Sequence, residues 1–296
     1  MFKTKFKFFK NIANIPDPGV LERDLIERKI FDYSDNFEDD SFSELHLNKP
    51  SLWNVYEHAN HQGLILVKNV FTRQGQWYWI SRCVTDYPAP PNLNNLAPIG
   101  LLAPDENWFD VCLESPDRGS SILKKLRWVT LGYHHNWDTK VYSEKMRSPF
   151  PDDLAQLCRI VAKLATGWDF SAQAAIINYY YHNSTISGHV DHSEPNLDAP
   201  LLSFSFGDSA LFLIGNDSDD VSPVMLKSGD VAIMSGPSRL AMHGVPRIVP
   251  ADERPWELTK NSGNSTEKDK FVIDFINEAR INMNVRQVLY PGSKTL

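Results

Sequence analysis

A short stretch near residue 190 places potential metal ligands close together. The sequence "GHVDHSE" contains His189, Asp191 and His192. Residues two apart on a β-strand point to the same side, so His189 and Asp191 can direct an imidazole and a carboxylate at one point. Two ligands do not make a site, and "SGDVAIMSGPSRLAMHG" offers His243 as a third. The spacing therefore predicts a metal site built from two histidines and one carboxylate.

A second polar pattern, in "ARINMNVRQV", bears on whether His243 is a ligand or a histidine packed near a turn. Arg280, Asn282, Asn284 and Arg286 alternate there with apolar residues, which on a strand puts two guanidiniums and two amides on one face. The usual explanation is a solvated strand face. If the face points into a barrel, however, the arginines need anionic partners, and a small dicarboxylate supplies two. Two histidines and one carboxylate on one face of a metal ion form the facial triad that is typical of non-haem Fe(II) oxygenases.

The sequence "AIINYY" adds Asn178 and Tyr180, which share a strand face with Ile176 and can hydrogen-bond the same ligand. The order and spacing of all these motifs resemble the AlkB family of Fe(II)/2-oxoglutarate dioxygenases. The stretches "LRWVTLGYHHNWD", "PLLSFSFGDSALFLIG" and "SGDVAIMSGPSRLAMHGVPRI" are similar to the eukaryotic AlkB homologue one branch. That similarity covers most of residues 50–290.

The resemblance implies a fold, a set of cofactors and ligand roles. The fold would be α+β with a mainly β core, a double-stranded β-helix (jelly roll) with N-terminal helices and a nucleotide-recognition lid. The cofactors would be Fe(II), 2-oxoglutarate and O₂, with His189, Asp191 and His243 as the catalytic metal ligands. Arg280 is expected on the distal carboxylate of 2-oxoglutarate and Arg286 nearer its metal-bound end. The full set expected to bind 2-oxoglutarate is Asn178, Tyr180, Arg280, Asn282 and Arg286.

The activity that the resemblance implies is oxidative demethylation of nucleic acid. The expected substrate is N-methylated tRNA of the 1-methyladenosine type, with DNA carrying N6-methyladenine as a further one. The products would be formaldehyde, succinate and CO₂. The alternatives are a dioxygenase that acts on a protein such as a histone, or one that oxidises 5-methylcytosine in tRNA. A binding module with a degenerate site is disfavoured, because every position of the motif is filled.

A basic and aromatic stretch is the candidate surface for nucleic acid. Between Arg118 and Arg147, seven Lys and Arg residues stand against two acidic ones, in a chain whose net charge is −7. Charge that neutralises phosphates, combined with stacking rings, suits a flipped or single-stranded base. The alternative is a solvated helix followed by a core strand in which Trp128 and Tyr133 only pack. The residues expected to contact the substrate are Trp108, Trp128, Tyr133, His134, His135 and Asp191.

The composition indicates an intracellular globular protein. The chain has 296 residues, of which 42% are hydrophobic, and its three cysteines show no CxxC spacing, which argues for a reducing compartment. The lysine-rich start, "MFKTKFKFFK", predicts either a mitochondrial address or a short basic surface helix. The expected location is therefore the nucleus or the mitochondrion, with the cytoplasm as a further option. The expected partners are tRNA or DNA, with no membrane and a monomeric state.

The chain is expected to divide into three segments. Residues 1–50 would be a basic arm and an acidic linker, with 35–50 as an exposed loop. Residues 51–165 would be an extension that carries the substrate lid, and residues 166–296 the dioxygenase domain. Apolar spacing predicts helices over 75–87 and from Pro151 to Gly167. Short alternating runs predict antiparallel strands after Phe170, with a polar loop at 260–270.

Overall fold

Two antiparallel β-sheets that pack face to face form the centre of the protein in the computed structural model, which describes residues 2–31, 40–215, 220–257 and 265–296. Within these ranges the larger sheet has nine strands and the smaller sheet has four. In chain order the strands are β1 (Leu25–Arg28), β2 (Asn54–His58), β3 (Leu64–Lys68), β4 (Leu93–Asn94), β5 (Trp128–Gly132), β6 (Ala174–Tyr181), β7 (Ile186–His189), β8 (Leu201–Gly207), β9 (Ser209–Ile214), β10 (Ser222–Leu226), β11 (Val231–Met234), β12 (His243–Val249) and β13 (Ala279–Arg286).

The strand order is that of a jelly roll whose larger sheet is extended at both edges. The larger sheet runs β1-β2-β3-β11-β8-β13-β6-β5-β4 and the smaller one β10-β9-β12-β7. Every pairing is antiparallel. The predicted α+β fold with a mainly β core and a double-stranded β-helix is confirmed.

Helices cover the outer faces of the sheets. The described α-helices are α1 (Phe2–Phe9), α2 (Pro18–Glu22), α3 (Asp40–Glu44), α4 (Arg73–Ser81), α5 (Trp108–Glu114), α6 (Pro116–Ile122), α7 (Asp152–Thr166) and α8 (Glu267–Ile276). Helices α3 to α8 share an apolar core with the larger sheet, whereas α1 and α2 pack on the smaller sheet. No described helix is both long and apolar enough to span a membrane.

Strand alternation decides which residues of the larger sheet face the helices and which face the second sheet. The helix-side residues of three adjacent strands are apolar, namely Leu202, Phe204 and Phe206 of β8, Ile281, Met283 and Val285 of β13, and Ala175, Ile177 and Tyr179 of β6. Because successive side chains of a strand point to opposite faces, the intervening polar residues point into the space between the sheets. The arginines and asparagines of β13 therefore face the interior.

Two predicted helices are confirmed. Helix α7 buries its leucines on one face and ends at Gly167, whose φ of +76° is the left-handed conformation that glycine adopts without strain. The N–H of Gly167 donates to the carbonyl of Lys163, which satisfies an end-of-helix acceptor. Helix α4 continues through a π-helical turn, Arg82–Asp86, so helical residues run from 73 to 86 against the predicted range 75–87.

Two predicted loops are wrong in the parts that the structure describes. In the range 35–50, residues 35–39 lie outside the described residues, but Phe42, Leu45 and Leu47 are buried in the core. Acidic residues around them make the stretch look like a polar loop, so the sequence did not indicate that these three residues are buried. In the range 260–270, residues up to 264 lie outside the description, and α8 begins at Glu267 behind a capping box of Thr266 and Asp269. The three-segment division stays a prediction.

Candidate metal centre and substrate pocket

Three potential ligands converge at one end of the smaller sheet. His189 ends β7 and His243 begins β12, and the two are directly opposite in the strand pairing. Asp191 follows β7, with Oδ1 3.8 Å from His189 Nε2 and Oδ2 3.8 Å from His243 Nε2. All three ligand atoms lie within 4.8 Å of one another, so one ion can contact all of them. His192, the remaining histidine of the motif, is exposed.

Backbone carbonyls orient both imidazole rings. His189 Nδ1 lies 3.0 Å from the Ser187 carbonyl and His243 Nδ1 3.1 Å from the Ala241 carbonyl. A carbonyl only accepts hydrogen bonds, so Nδ1 carries the proton and the Nε2 lone pair is left for a metal. Burial lowers the pKa of His243 to about 4, against the opposing effect of Asp191. His243 is therefore neutral near pH 7, which is the metal-binding form.

Asp191 is held ionised by its neighbours. Its Oδ2 accepts hydrogen bonds from Asn284 Nδ2 at 3.2 Å and from Arg286 Nη2 at 2.9 Å. Burial acts to raise the pKa of this carboxyl. Arg286, and after it the two histidines, outweigh burial and hold the pKa well below its usual range. A carboxylate is thus present at the site before any metal binds.

A second buried carboxylate stands behind the first. Arg286 Nε lies 2.6 Å from Glu194 Oε1, an ion pair without hydrogen-bond geometry. Arg239 Nη2 donates to Glu194 Oε2 at 2.9 Å, and Arg239 Nη1 donates to the Asp191 carbonyl at 2.6 Å. The sequence interpretation missed Glu194 and Arg239. Each was one charged residue inside a motif already quoted, "GHVDHSE" or "SGPSRLAMHG", and nothing in the spacing indicated that they meet.

A cavity between the sheets lies beside the three ligands. Its walls include His189, His243 and, from the larger sheet, Asn178, Tyr180, Ser203, Arg280, Asn282 and Asn284. The strand register explains the grouping, because Tyr180 pairs with Arg280 and Asn178 with Asn282. Four of the five residues predicted to hold 2-oxoglutarate therefore line one cavity. Arg286 lies outside it, at Asp191, on the side of the neighbouring pocket.

Arg280 is a buried cation with spare hydrogen-bonding capacity. Its Nη2 donates to Ser205 Oγ at 2.8 Å and its Nη1 to the Asp208 carbonyl at 3.3 Å. Its Nε has no acceptor among the described residues. Burial lowers the pKa of Arg280 to about 10, so the side chain stays charged near pH 7. The supporting serines, Ser203 and Ser205, were missed, although "LLSFSFG" places them on alternate positions of one strand face.

A second cavity opens on the other side of the ligands. His135, Trp137, Lys140 and Tyr142 form one wall, and the opposite wall includes His189 and Asp191. The His135 ring packs against Trp137, with centroids 4.8 Å apart, and against Tyr142 at 5.4 Å. His135 Nδ1 is buried without a hydrogen-bond partner in the described chain. Aromatic rings therefore make up most of this wall.

A groove continues from this cavity along the surface, and Trp137 belongs to both. Lys124, Arg127 and Trp128 also line the groove. The Trp128 and Trp137 rings lie 5.3 Å apart. Trp137 is 39% exposed. Of the residues expected to contact a nucleotide, Trp128, His135 and Asp191 thus face the groove or the cavity, and Trp137 joins them.

Three residues expected at the nucleotide lid are packed in the interior of this structure, and their contact with a substrate stays a prediction. Trp108 begins α5 and is fully buried against Phe271 and Phe275 of α8. His134 is buried with Nδ1 2.8 Å from Thr130 Oγ1. Tyr133 is buried and donates to Glu144 Oε1 at 2.7 Å. An aromatic residue supplies apolar area for packing as readily as a stacking face, and its residue type does not distinguish the two.

The basic stretch is only partly free to contact an anion. Arg127 and Lys140 extend over the aromatic rings of Tyr181 and Trp137, at 5.3 Å and 5.8 Å from the ring centroids. Three other basic residues already have acidic partners, namely Arg118 with Glu106, Lys124 with Glu278 and Arg147 with Glu144. The stretch therefore contains solvated ion pairs as well as residues that line the groove, and its contact with nucleic acid stays a prediction.

Comparison with known proteins gives consistent matches. Residues 63–286 match the 2OG-Fe(II) oxygenase superfamily. The chain is 39% identical to nucleic acid dioxygenase ALKBH1 of Homo sapiens, over 82% of this chain and 68% of the human one. It is 36% identical to tRNA demethylase abh1 of Schizosaccharomyces pombe, over 79% and 82% of the two chains. It is 31% identical to DNA N(6)-methyladenine demethylase ALKBH1A of Arabidopsis thaliana, over 77% and 76%.

Proposed function

Because the chain belongs to the 2OG-Fe(II) oxygenase superfamily, and within it to the AlkB family, we propose that it oxidatively demethylates nucleic acid. It is a dioxygenase, and its cofactors are Fe(II), 2-oxoglutarate and O₂. The substrate that we propose is N-methylated tRNA of the 1-methyladenosine type, with DNA carrying N6-methyladenine as a second one. The relatives named as tRNA and DNA demethylases support this pair of substrates.

The observation that carries the proposal is the convergence of two histidines and one carboxylate beside a cavity with a buried guanidinium. These residues fit the cofactors. The imidazoles are oriented with Nε2 free, the carboxylate is ionised, and Arg280 Nε lacks an acceptor that a carboxylate would provide. We assign Fe(II) to His189, Asp191 and His243, and 2-oxoglutarate to Asn178, Tyr180, Arg280 and Asn282, with Arg286 at the metal-bound end.

The chain's own residues provide orientation and a dry site. When bound together, Fe(II), 2-oxoglutarate and O₂ supply the oxidising power that hydroxylates an N-methyl group, which then leaves as formaldehyde while succinate and CO₂ form. Arg280 fixes the distal carboxylate by charge-assisted hydrogen bonds. Asn284 and Arg286 hold Asp191 Oδ2 in place. Apolar residues between the sheets, Phe212 and Met234 among them, keep bulk water from the cavity.

The cavity on the substrate side suits a flipped base. The rings of His135, Trp137 and Tyr142 line it and can stack against a base. The neighbouring groove offers Arg127 for phosphate and Trp128 for a second base. Nuclear or mitochondrial residence and a monomeric state stay predictions from the sequence.

The proposal is tested by mass spectrometry of nucleosides. The purified chain is incubated with total tRNA and with genomic DNA in the presence of Fe(II), 2-oxoglutarate and O₂. We expect 1-methyladenosine in tRNA to decrease, with formaldehyde and succinate formed in equal amounts, and no change with Asp191→Ala. If the amounts of all methylated nucleosides stay unchanged in both tRNA and DNA while histone peptides are turned over, nucleic acid is rejected as the substrate.

A further inference from the structure

Glu194 is a buried carboxylate whose partners are two arginines and one tyrosine. Its side chain is 2% exposed. Oε2 accepts a hydrogen bond from Arg239 Nη2 at 2.9 Å, while Oε1 lies 2.6 Å from Arg286 Nε and accepts a hydrogen bond from Tyr142 Oη at 3.1 Å. A carboxylate so far from water is stable only because these groups surround it.

Both arginines that contact Glu194 also contact Asp191. Arg286 Nη2 donates to Asp191 Oδ2 at 2.9 Å, and Arg239 Nη1 donates to the Asp191 carbonyl at 2.6 Å. Arg239 is further anchored through Nε to the Ala199 carbonyl at 3.0 Å. The side chain of Asp191 and its backbone are thus each held by a guanidinium, and Glu194 joins the two guanidiniums.

Without Glu194, the two guanidiniums at Asp191 would disfavour the binding of a metal cation. Two guanidiniums behind Asp191 repel a divalent cation, and the repulsion is strong because the side chains of Arg239 and Arg286 are only 3% and 5% exposed. The charges of Arg239, Arg286, Asp191 and Glu194 sum to zero, so the cluster is neutral before a metal binds. Removal of the Glu194 charge leaves a net positive cluster at the place where a cation must bind.

We propose that Glu194 is the charge-balancing positioning residue of the metal site. The two guanidiniums hold Asp191 in place but would also repel a metal cation. The charge of Glu194 offsets this repulsion, while the guanidiniums still orient Asp191. This inference rests on the proposed assignment of His189, Asp191 and His243 as metal ligands. Glu194 also lines the substrate cavity, so a role in contacting the base is the competing explanation.

The test measures metal affinity in the absence of turnover. The full chain is titrated with Mn(II) by calorimetry, without 2-oxoglutarate or nucleic acid. Glu194→Gln keeps the shape of the side chain and removes its charge. We expect the Kd for Mn(II) to rise about 10- to 100-fold, the range typical for groups that support metal ligands. A residue that only contacts a base would leave this Kd unchanged.

Asp153→Asn is the matched control. Asp153 accepts hydrogen bonds from Arg82 Nε at 3.0 Å and from Tyr78 Oη at 2.8 Å, and so forms a comparable Arg and Tyr pair outside the site. This variant should lower the melting temperature but leave the Mn(II) affinity as in the wild type. The control therefore shows whether the loss of any partly buried ion pair weakens metal binding, or only the loss of the Glu194 charge.

A double variant separates charge balance from mere packing. Glu194→Gln with Arg239→Gln restores the zero sum, so it should regain part of the affinity that Glu194→Gln loses. The difference in Mn(II) affinity between Arg239→Gln and the double variant measures the effect of the Glu194 charge a second time. This comparison remains possible if Glu194→Gln alone does not fold. A folded Glu194→Gln with wild-type affinity, or a double variant weaker than Glu194→Gln, would overturn the proposal. A wild-type chain that binds no Mn(II) would overturn the ligand assignment itself.

Discussion

The cavity between the sheets and the groove on the substrate side hold their functional residues in opposite ways. Arg280 and Asn282 lie on a central strand, are buried, and donate hydrogen bonds to the neighbouring strand. Trp137 and Lys140 lie in a segment between β5 and α7 and are exposed. Paired strands fix side chains before a ligand arrives, whereas side chains on an exposed connection adjust to one. The contrast indicates a rigid cavity between the sheets beside a groove whose side chains can adjust.

The same contrast appears in the charges. Arg286 and Glu194 are paired out of water, where a lost partner leaves an uncompensated charge. Lys124 and Glu278 are paired in solvent, with both side chains at least 60% exposed, where such a pair contributes little to stability. Substitutions in the buried charge cluster around Asp191 should therefore have large effects on metal binding, and those in the groove smaller effects on substrate affinity.

The largest expected effect comes from Asp191→Asn. The change removes a metal ligand and one of the two carboxylates that face Arg286. Turnover should therefore fall by more than about 100-fold, beyond the loss typical for groups that only support ligands. The measurement is succinate formation with methylated tRNA. His192→Ala, one position away and exposed, is the control and should retain activity. Comparable turnover by both variants would contradict the ligand assignment.

Substitution of a buried and an exposed tryptophan tests the difference between the core and the groove. Trp108→Ala should lower the free energy of unfolding by about 3–5 kcal/mol, because it removes a fully buried ring. Trp137→Ala should leave the melting temperature nearly unchanged and raise the KM for nucleic acid about tenfold, since base stacking contributes roughly 1–3 kcal/mol. Thermal unfolding and steady-state kinetics measure the two effects. If the KM for nucleic acid rises in a folded Trp108→Ala variant and stays unchanged in Trp137→Ala, the proposed position of the substrate beside Trp137 is contradicted.

The smallest expected effect comes from reversing Lys124, Lys125 and Arg127 to Glu. RNA binding should weaken, and the slope of log affinity against log salt should flatten by about 2 if all three contact phosphates. Because Lys124 already pairs with Glu278, the measured change should be below this figure. Filter binding at several salt concentrations gives the slope. An unchanged affinity and slope would exclude this stretch as a docking surface.

Strand periodicity made the cavity predictable from sequence, and its absence made the groove unpredictable. The alternation of polar and apolar residues over 280–286 places four polar side chains on one face, and β-pairing then brings Asn178 and Tyr180 opposite to them. Trp108 and Trp137 have the same residue type, and only tertiary packing decides that one is buried. Glu194 and Arg239 meet through a fold-dependent contact that no local spacing encodes. The start of α8 was hidden for another reason, because its exposed first turn is as polar as a loop.

In the proposed function, Asp191 and Arg280 hold the metal and the diacid of one complex. The most direct measurement is the visible absorption that develops when 2-oxoglutarate chelates protein-bound Fe(II) in the absence of O₂. We expect the wild-type chain to develop it with one equivalent of Fe(II), Asp191→Asn to lack it, and Arg280→Lys to need about tenfold more 2-oxoglutarate because it loses the guanidinium fork. Full absorption in Asp191→Asn, or an unchanged 2-oxoglutarate requirement in Arg280→Lys, would contradict the account.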